Sequence, residues 1–411
     1  MDGSLLRQDD ATERAADQGV ALDHLRLGWR PIVARDRRVL GVRIEIRPAP
    51  NTAESLTSTV GGVIAALADQ TTLPSRGIVV LAPTPISLNT ELQAIGEWGK
   101  KANVLLEISA EVMTPKHLPL IEAAHQGGLR FVLRQSKHPL PRDTQRLLTA
   151  VVDDSESGRS HDSASALWVR DVHTRSDVES AFAHGAQATI GWPLDEPMVE
   201  PSAGLEPTRR AVLDIVRLIQ GDADVMALER AFKSEPSLAL MLLSVINSPA
   251  LAPAAAQTAP ITSLRHAILV LGYKRLVRWL VLLLGVSSAN TRSMPLIYMA
   301  VQRGFFLEAL ASQVGGMRDD LFVVGAFSLL QQITGHSHER LFTSAVLPRP
   351  VLDAVRAHEG AYGVYLALAE VIERGDTVGS ERAAQLVGVS MGQINAALLS
   401  SLAAADAITM N

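Results

Sequence analysis

His336, His338 and Glu339 crowd together in TGHSHER, a group whose side-chain types could do chemistry. Imidazole and carboxylate are transition-metal ligands. Histidines at i and i+2 cannot share a helical face, and no third ligand is adjacent, so a solvated loop is favoured over a metal centre. His266 and His358 stand alone and read as satisfied or surface histidines. A second candidate chemistry is DNA recognition. In AAQLVGVSMGQINAALL (383–399), Ala384, Gly388 and Ile394 have helix-turn-helix spacing. No Lys or Arg occurs from Ala383 to Asn411, so phosphates could not be neutralised. The tail is expected to be two packed helices closing a bundle.

The elements that would position such groups divide at a Pro- and Glu-rich linker, DEPMVEPSAGLEPT (195–208). Before it, strand-like runs at 39–47, 77–83, 103–109, 129–134, 166–172 and 187–192 alternate with helical spacing. That order means an α/β architecture with mostly parallel strands. A full eight-fold barrel usually takes about 250 residues, so a reduced or partly open barrel is expected here. After the linker nothing reads as strand. Val212, Ile215, Val216 and Ile219 follow an amphipathic helical period. Pro236 suits the start of the next helix, and Asn247-Ser248-Pro249 stops it. Thr262 or Ser263 can cap the following helix, and Gly272 supplies a left-handed residue that ends it. The expected organisation is a disordered leader at 1–24, an α/β domain at 25–200 and an all-helical domain at 201–411.

Composition narrows the function. With 411 residues and 47% hydrophobic content the chain has material for two globular cores. A net charge of −5 gives no electrostatic footprint for nucleic acid or an anionic membrane. Zero cysteines exclude disulfides and thiolate sites. The polar, acidic N-terminus has no signal-peptide pattern, and the apolar run from Trp279 to Ala289 is too short to span a bilayer. A cytoplasmic protein with no membrane insertion is expected. The apolar runs at 239–246 and 279–286 read as core, leaving the Arg-bearing turn at 273–278 and the polar loop at 153–165 as partner surfaces.

FKSEPSLALMLLSVINSPAL and ITSLRHAILVLGYKRLVRWL closely resemble the bacterial HD-related output domain, HDOD. The first half more weakly resembles an EAL-type domain, related to cyclic di-GMP phosphodiesterases. The resemblance implies a TIM-type EAL-like barrel followed by an HD-like helical bundle, with both metal sites eroded. In GVRIEIR, Arg43 stands at the family's Glu position, Glu45 at its Leu position, and Arg47 keeps its final Arg. Glu107 in LLEIS is a retained carboxylate. The family's Asp pair falls on Arg134 and Gln135, its Lys near Val151, its later Glu on His173 and its Gln-Gly pair on Ile190-Gly191. The HD pair falls on Ser328 and Leu329.

Two-metal phosphodiester hydrolysis needs a cage of hard oxygen ligands, and two guanidinium groups would repel the ions. The resemblance therefore implies that the chain is not an enzyme and binds no metal or other cofactor. Arg43 or Arg134 would form an interior ion pair with Glu107, or the arginines would form an anion pocket. The implied role is a non-catalytic regulator in a cyclic di-GMP-linked network controlling motility, biofilm or virulence, acting through contacts with signalling proteins. The alternative is a sensor that binds cyclic di-GMP or another nucleotide without hydrolysis. Homo-oligomerisation is compatible with either.

Overall fold

A computed structural model describes residues 22–49, 73–83, 103–134, 142–154, 165–195, 207–234, 263–286, 294–314, 318–341 and 349–409, with isolated positions between 238 and 261. Gln135, Pro236, Asn247, Ser248 and Thr262 lie outside the described residues, as do most of the leader, of the linker and of the 153–165 loop.

Eight strands close into a barrel in chain order: β1 (Leu25–Ala34), β2 (Val39–Pro48), β3 (Ile78–Pro83), β4 (Val104–Ser109), β5 (Arg130–Arg134), β6 (Leu148–Asp154), β7 (Ala166–Arg170) and β8 (Ala188–Ile190). Strands β2 to β8 run parallel, while β1 is antiparallel to both of its neighbours. Alternation along each strand supplies two cores. Ile32, Val80, Leu105, Val132, Val152, Trp168 and Ile190 fill the lumen, and the residues between them face outward.

The barrel is closed, which corrects the expectation of a reduced or partly open one. The saving in length is explicable. An antiparallel β1–β2 hairpin needs only a tight turn where a parallel pair needs a crossover of a dozen or more residues, and a short 3-10 helix, Arg142–Leu147, leads directly into β6. Both β1 and β6 were absent from the strand expectations. Gly28 and Pro31 make β1 read poorly as a strand. Pro31 has no N–H to offer the ladder, but its carbonyl still accepts the Gly191 N–H at 2.8 Å. At Gly41 the backbone approach is so close that a Cβ would lie 1.9 Å from the Ile78 carbonyl oxygen.

Helices α1 (Leu118–Gln126) and α2 (Arg175–Ala183) flank the barrel, α2 opening with a capping box between Thr174 and Asp177. Past the linker come α3 (Pro207–Gln220), α4 (Val225–Lys233), α5 (Leu264–Val286), α6 (Met294–Val314), α7 (Arg318–Phe327), α8 (Leu330–Thr334), α9 (His338–Leu341), α10 (Arg349–Ala357), α11 (Gly360–Arg374), α12 (Thr377–Val387) and α13 (Met391–Thr409). Helix α6 is central, packing on α5, α7, α11 and α13. Gly272 breaks α5 with φ 72° and ψ 158°, a backbone region open essentially to glycine alone. Among the described residues no single helix is long and apolar enough to cross a membrane; α12 and α13 reach that composition only as a pair bent by 98°.

That pair does more than close the bundle. It also grips the barrel through β1. Asn395 on α13 donates to the carbonyls of Leu22 (2.8 Å) and Leu25 (3.1 Å) and accepts from the Leu27 N–H at 3.4 Å. Asp406 accepts the N–H groups of Ser75, Arg76 and Gly77 at 2.8–3.0 Å, just ahead of β3. Arg26 pairs with Glu381 of α12 at 2.8 Å, and the Trp29 ring meets Tyr298 of α6 at 6.1 Å. The outward residues of β1 and the helices thus belong to one hydrophobic core. Asn395→Ala would leave three main-chain groups at the entrance of β1 without these partners. A loss of about 2–3 kcal/mol is expected, read as a lower urea midpoint at unchanged slope.

Candidate functional site at the barrel mouth

Strand parity places the polar side chains. Arg43 and Glu45 share the inner face of β2 with Gly41, and Glu107 shares that of β4 with Leu105. Arg134, Asp154 and Arg170 follow the inward residues Val132, Val152 and Trp168. All therefore lie toward the C-terminal ends of the parallel strands, the face where barrels of this kind carry chemistry. Arg43 reaches across β3 to Glu107. Its Nε donates to Oε2 at 2.6 Å, its Nη2 to Oε1 at 2.8 Å, and its Nη1 to Glu45 Oε1 at 2.5 Å. Arg47 Nη2 completes the chain on Glu45 Oε2 at 3.2 Å. Arg43 and Glu107 are each only 3% exposed.

The electrostatics follow from burial and pairing. Burial opposes the Arg43 charge, but Glu107 and Glu45 outweigh it and lift the guanidinium above its usual pKa. Burial alone would push the Glu45 carboxyl up, yet Arg43, Arg47 and Arg30 hold it below its ordinary value. Arg170 is likewise partly desolvated, and its pairing with Asp154 at 2.5 Å and Asp171 at 3.4 Å raises it overall.

The remaining residues that motif position selects are dispersed. Arg134 is half-buried at the end of β5 and makes no ion pair among the described residues. Val151 faces the outer core, and its neighbour Val152 faces the lumen. His173 is exposed after β7, and its N–H serves the cap through Asp177 at 2.9 Å. Both oxygens of Glu107 are engaged by one guanidinium, and no cluster of three or more His, Asp or Glu among the described residues could hold a metal. The residues present do not fit a divalent-metal pair at this point.

A second arginine–glutamate centre lies in the helical half, and motif reading missed it. Arg303 of α6 donates from Nε to Glu373 Oε1 at 2.7 Å and from Nη2 to Oε2 at 2.6 Å. Its Nη1 donates to Ser328 Oγ at 2.7 Å, and that hydroxyl donates to the Gly325 carbonyl. Ser328 and Leu329 form a short break between α7 and α8. They come within reach because α6 and α7 touch backbone to backbone: a Cβ on Gly325 would lie 2.6 Å from the Arg303 carbonyl. The available signal was a charge inside the apolar run of α6, since a buried arginine requires a partner. His336 is buried with its N–H on Thr334 Oγ1, His338 is half-buried at the start of α9, Glu339 is exposed, and His266 lies exposed in the first turn of α5 behind Ser263.

Arg30 joins the two centres. It shares the lumen face with Ile32 but donates to main-chain carbonyls, those of Trp29 at 3.2 Å and Arg374 at 3.1 Å. Burial lowers its pKa, with Glu45 and Glu373 the leading opposing charges.

The sequence of the helical half, compared with known families, matches the HDOD domain model over residues 206–357. Residues 206–357 form an HDOD domain. The cyclic di-GMP phosphodiesterase CdgJ of Vibrio cholerae is 23% identical over 231 residues, 56% of this chain and 52% of that protein. The chain thus spans about half the length of this curated relative. The relative's name corrects the expectation that the chain is not an enzyme. Among solved structures, Klebsiella pneumoniae BlrP1 in its manganese and cyclic di-GMP complex is 17% identical, covering 41% of this chain and 55% of its own at a TM-score of 0.34. The Bacillus subtilis YkuI protein, with an EAL domain, is 13% identical, covering 43% and 56% at 0.33. The strands of the first half close in chain order into an EAL-like, TIM-type barrel whose first strand is antiparallel to both neighbours.

Two outcomes follow. Arg43→Met strands the buried Glu107 carboxylate and is expected to cost about 3–5 kcal/mol, whereas Arg43→Met with Glu107→Leu should recover most of that loss; chemical denaturation of both variants and the native chain measures it. Glu45, with its pKa depressed in the fold, stabilises above the ordinary value of 4.5, and this is lost as pH falls through the folded value. The stability gap between the native chain and Glu45→Gln should therefore narrow when melts are taken from neutral pH down to about 3.

Proposed function

We propose that this chain acts in cyclic di-GMP-linked signalling in the cytoplasm, as a two-part relay divided near residue 200. The barrel mouth takes an anionic nucleotide, and the helical half passes that state to signalling proteins by direct contact. The observation that carries the reading is the placement of Arg30. One guanidinium lies on the lumen face of the barrel, feels Glu45 and Glu373, and bonds the last carbonyl of α11. The end of α11 also leans over the mouth: a Cβ at Gly375 would lie 3.5 Å from Glu45 Oε2. An anion entering the mouth would compete for Arg30, Arg47 and Arg134 and so act on α11 directly. Arg134 is the natural anchor because no carboxylate among the described residues holds it.

Calorimetry of the full chain with cyclic di-GMP, GTP and ATP, joined to hydrogen exchange, tests this. Cyclic di-GMP should bind, slow exchange in β2 and β4, and alter exchange in α11 to α13. Arg134→Ala should weaken that binding by about tenfold, as loss of one charge-assisted contact does. No heat with any of the three at high micromolar concentration would remove the sensing step, and binding without a change in α11 to α13 would remove the relay. Chromatography of the same samples shows whether the nucleotide is kept or hydrolysed.

A further inference from the structure

Beside Arg30 a cleft of about 620 Å³ separates the rim of the barrel from the helical half. Its size falls in the range of small-molecule sites, which favour domain junctions. It is distinct from the barrel mouth: its walls come from the segments after β7 and β8 on one side and from α6 to α11 on the other.

The wall chemistry is asymmetric. Of its carboxylates, Glu373 is held by Arg303, Glu370 is bonded by His358 Nε2 at 2.9 Å, and Asp195 is exposed on the barrel side, after β8. Arg356 and Arg374 also line the cleft, are exposed, and make no ion pair among the described residues. Arg30 supplies a third guanidinium, whose hydrogen bonds go to the carbonyls of Trp29 and Arg374. Three guanidinium groups around one opening suit a phosphate, which takes planar forked donors on several oxygens. The walls also hold two buried polar atoms without a partner: the Trp192 Nε1 donor, on a side chain 4% exposed, and the Gln332 Oε1 acceptor. Buried groups of this kind in a folded protein call for a partner. One donor and one acceptor are what the edge of a nucleobase needs.

We propose that this cleft binds a nucleoside monophosphate, its phosphate held by Arg30, Arg356 and Arg374 and its base edge read by Trp192 and Gln332. The site needs no nucleotide in the barrel mouth, so it stands or falls apart from the relay reading. Titration calorimetry on the full chain uses GMP, AMP, inorganic phosphate and guanosine as probes. At least one monophosphate should bind more tightly than phosphate or guanosine alone. Arg356→Ala with Arg374→Ala should weaken it at least about tenfold, with the melting temperature unchanged because both side chains are exposed. Arg134→Ala should leave it unaltered. Three results would overturn the proposal: no heat with either monophosphate, inorganic phosphate binding as tightly as the nucleotides, or sensitivity to Arg134→Ala alone, which would place the ligand in the barrel mouth.

Discussion

A guanidinium withdrawn from water must be met by a carboxylate of the right shape, and this constraint organises both halves of the chain. Arg43 and Arg303 are each 3% exposed, and each is clamped by both oxygens of one glutamate. Desolvation makes such pairs poor sources of net stability, while removing one partner is severe. Their effect is therefore on geometry. Glu107 is reached only if β2, β3 and β4 keep their register, with Val80 lying between in the lumen. Ser328 is reached only if α6 and α7 approach at Gly304 and Gly325, where a side chain would collide with the opposite helix, and Glu373 only if α11 packs on α6.

Strand β1 carries the second constraint. Antiparallel to both neighbours, it is laid down by a hairpin with no helix of its own to cover its outer face. Trp29, Leu25 and Leu27 would face water were α6, α11 and α13 not packed there. The helical half thus acts as the missing outer layer of the barrel. Asn395 and Asp406 make that cover specific, because each satisfies main-chain groups on the barrel that an apolar contact could not.

Much of this was legible in the residues, and the gaps have physical causes. Alternating runs marked six strands, but β1 hides behind Gly28 and Pro31, and β6 follows a 3-10 turn that blurs its period. Motif position selected Arg43 and Glu107, which meet, and His173, which serves a helix cap on the surface. It could not select Arg303 and Glu373, which no motif flags and which come together across 70 residues of chain. The absence of Lys and Arg from the tail argued against DNA, yet a strand lying some 370 residues earlier was beyond any local pattern.

Arg30 shows why the two halves should be treated as one device. It stands opposite Arg43 in the β1–β2 ladder, so two guanidinium groups face the same lumen and share Glu45. Arg43 is saturated by carboxylates, whereas Arg30 is held by the carbonyls of Trp29 and Arg374 and by the more distant field of Glu45 and Glu373. Neutral acceptors hold a cation less firmly than ionised ones. Arg30 is accordingly the cation in this network that a new anion could most readily recruit. Because it borders both the lumen and the cleft, an occupant of either would alter the field at the other. By linkage that influence runs with equal strength in both directions.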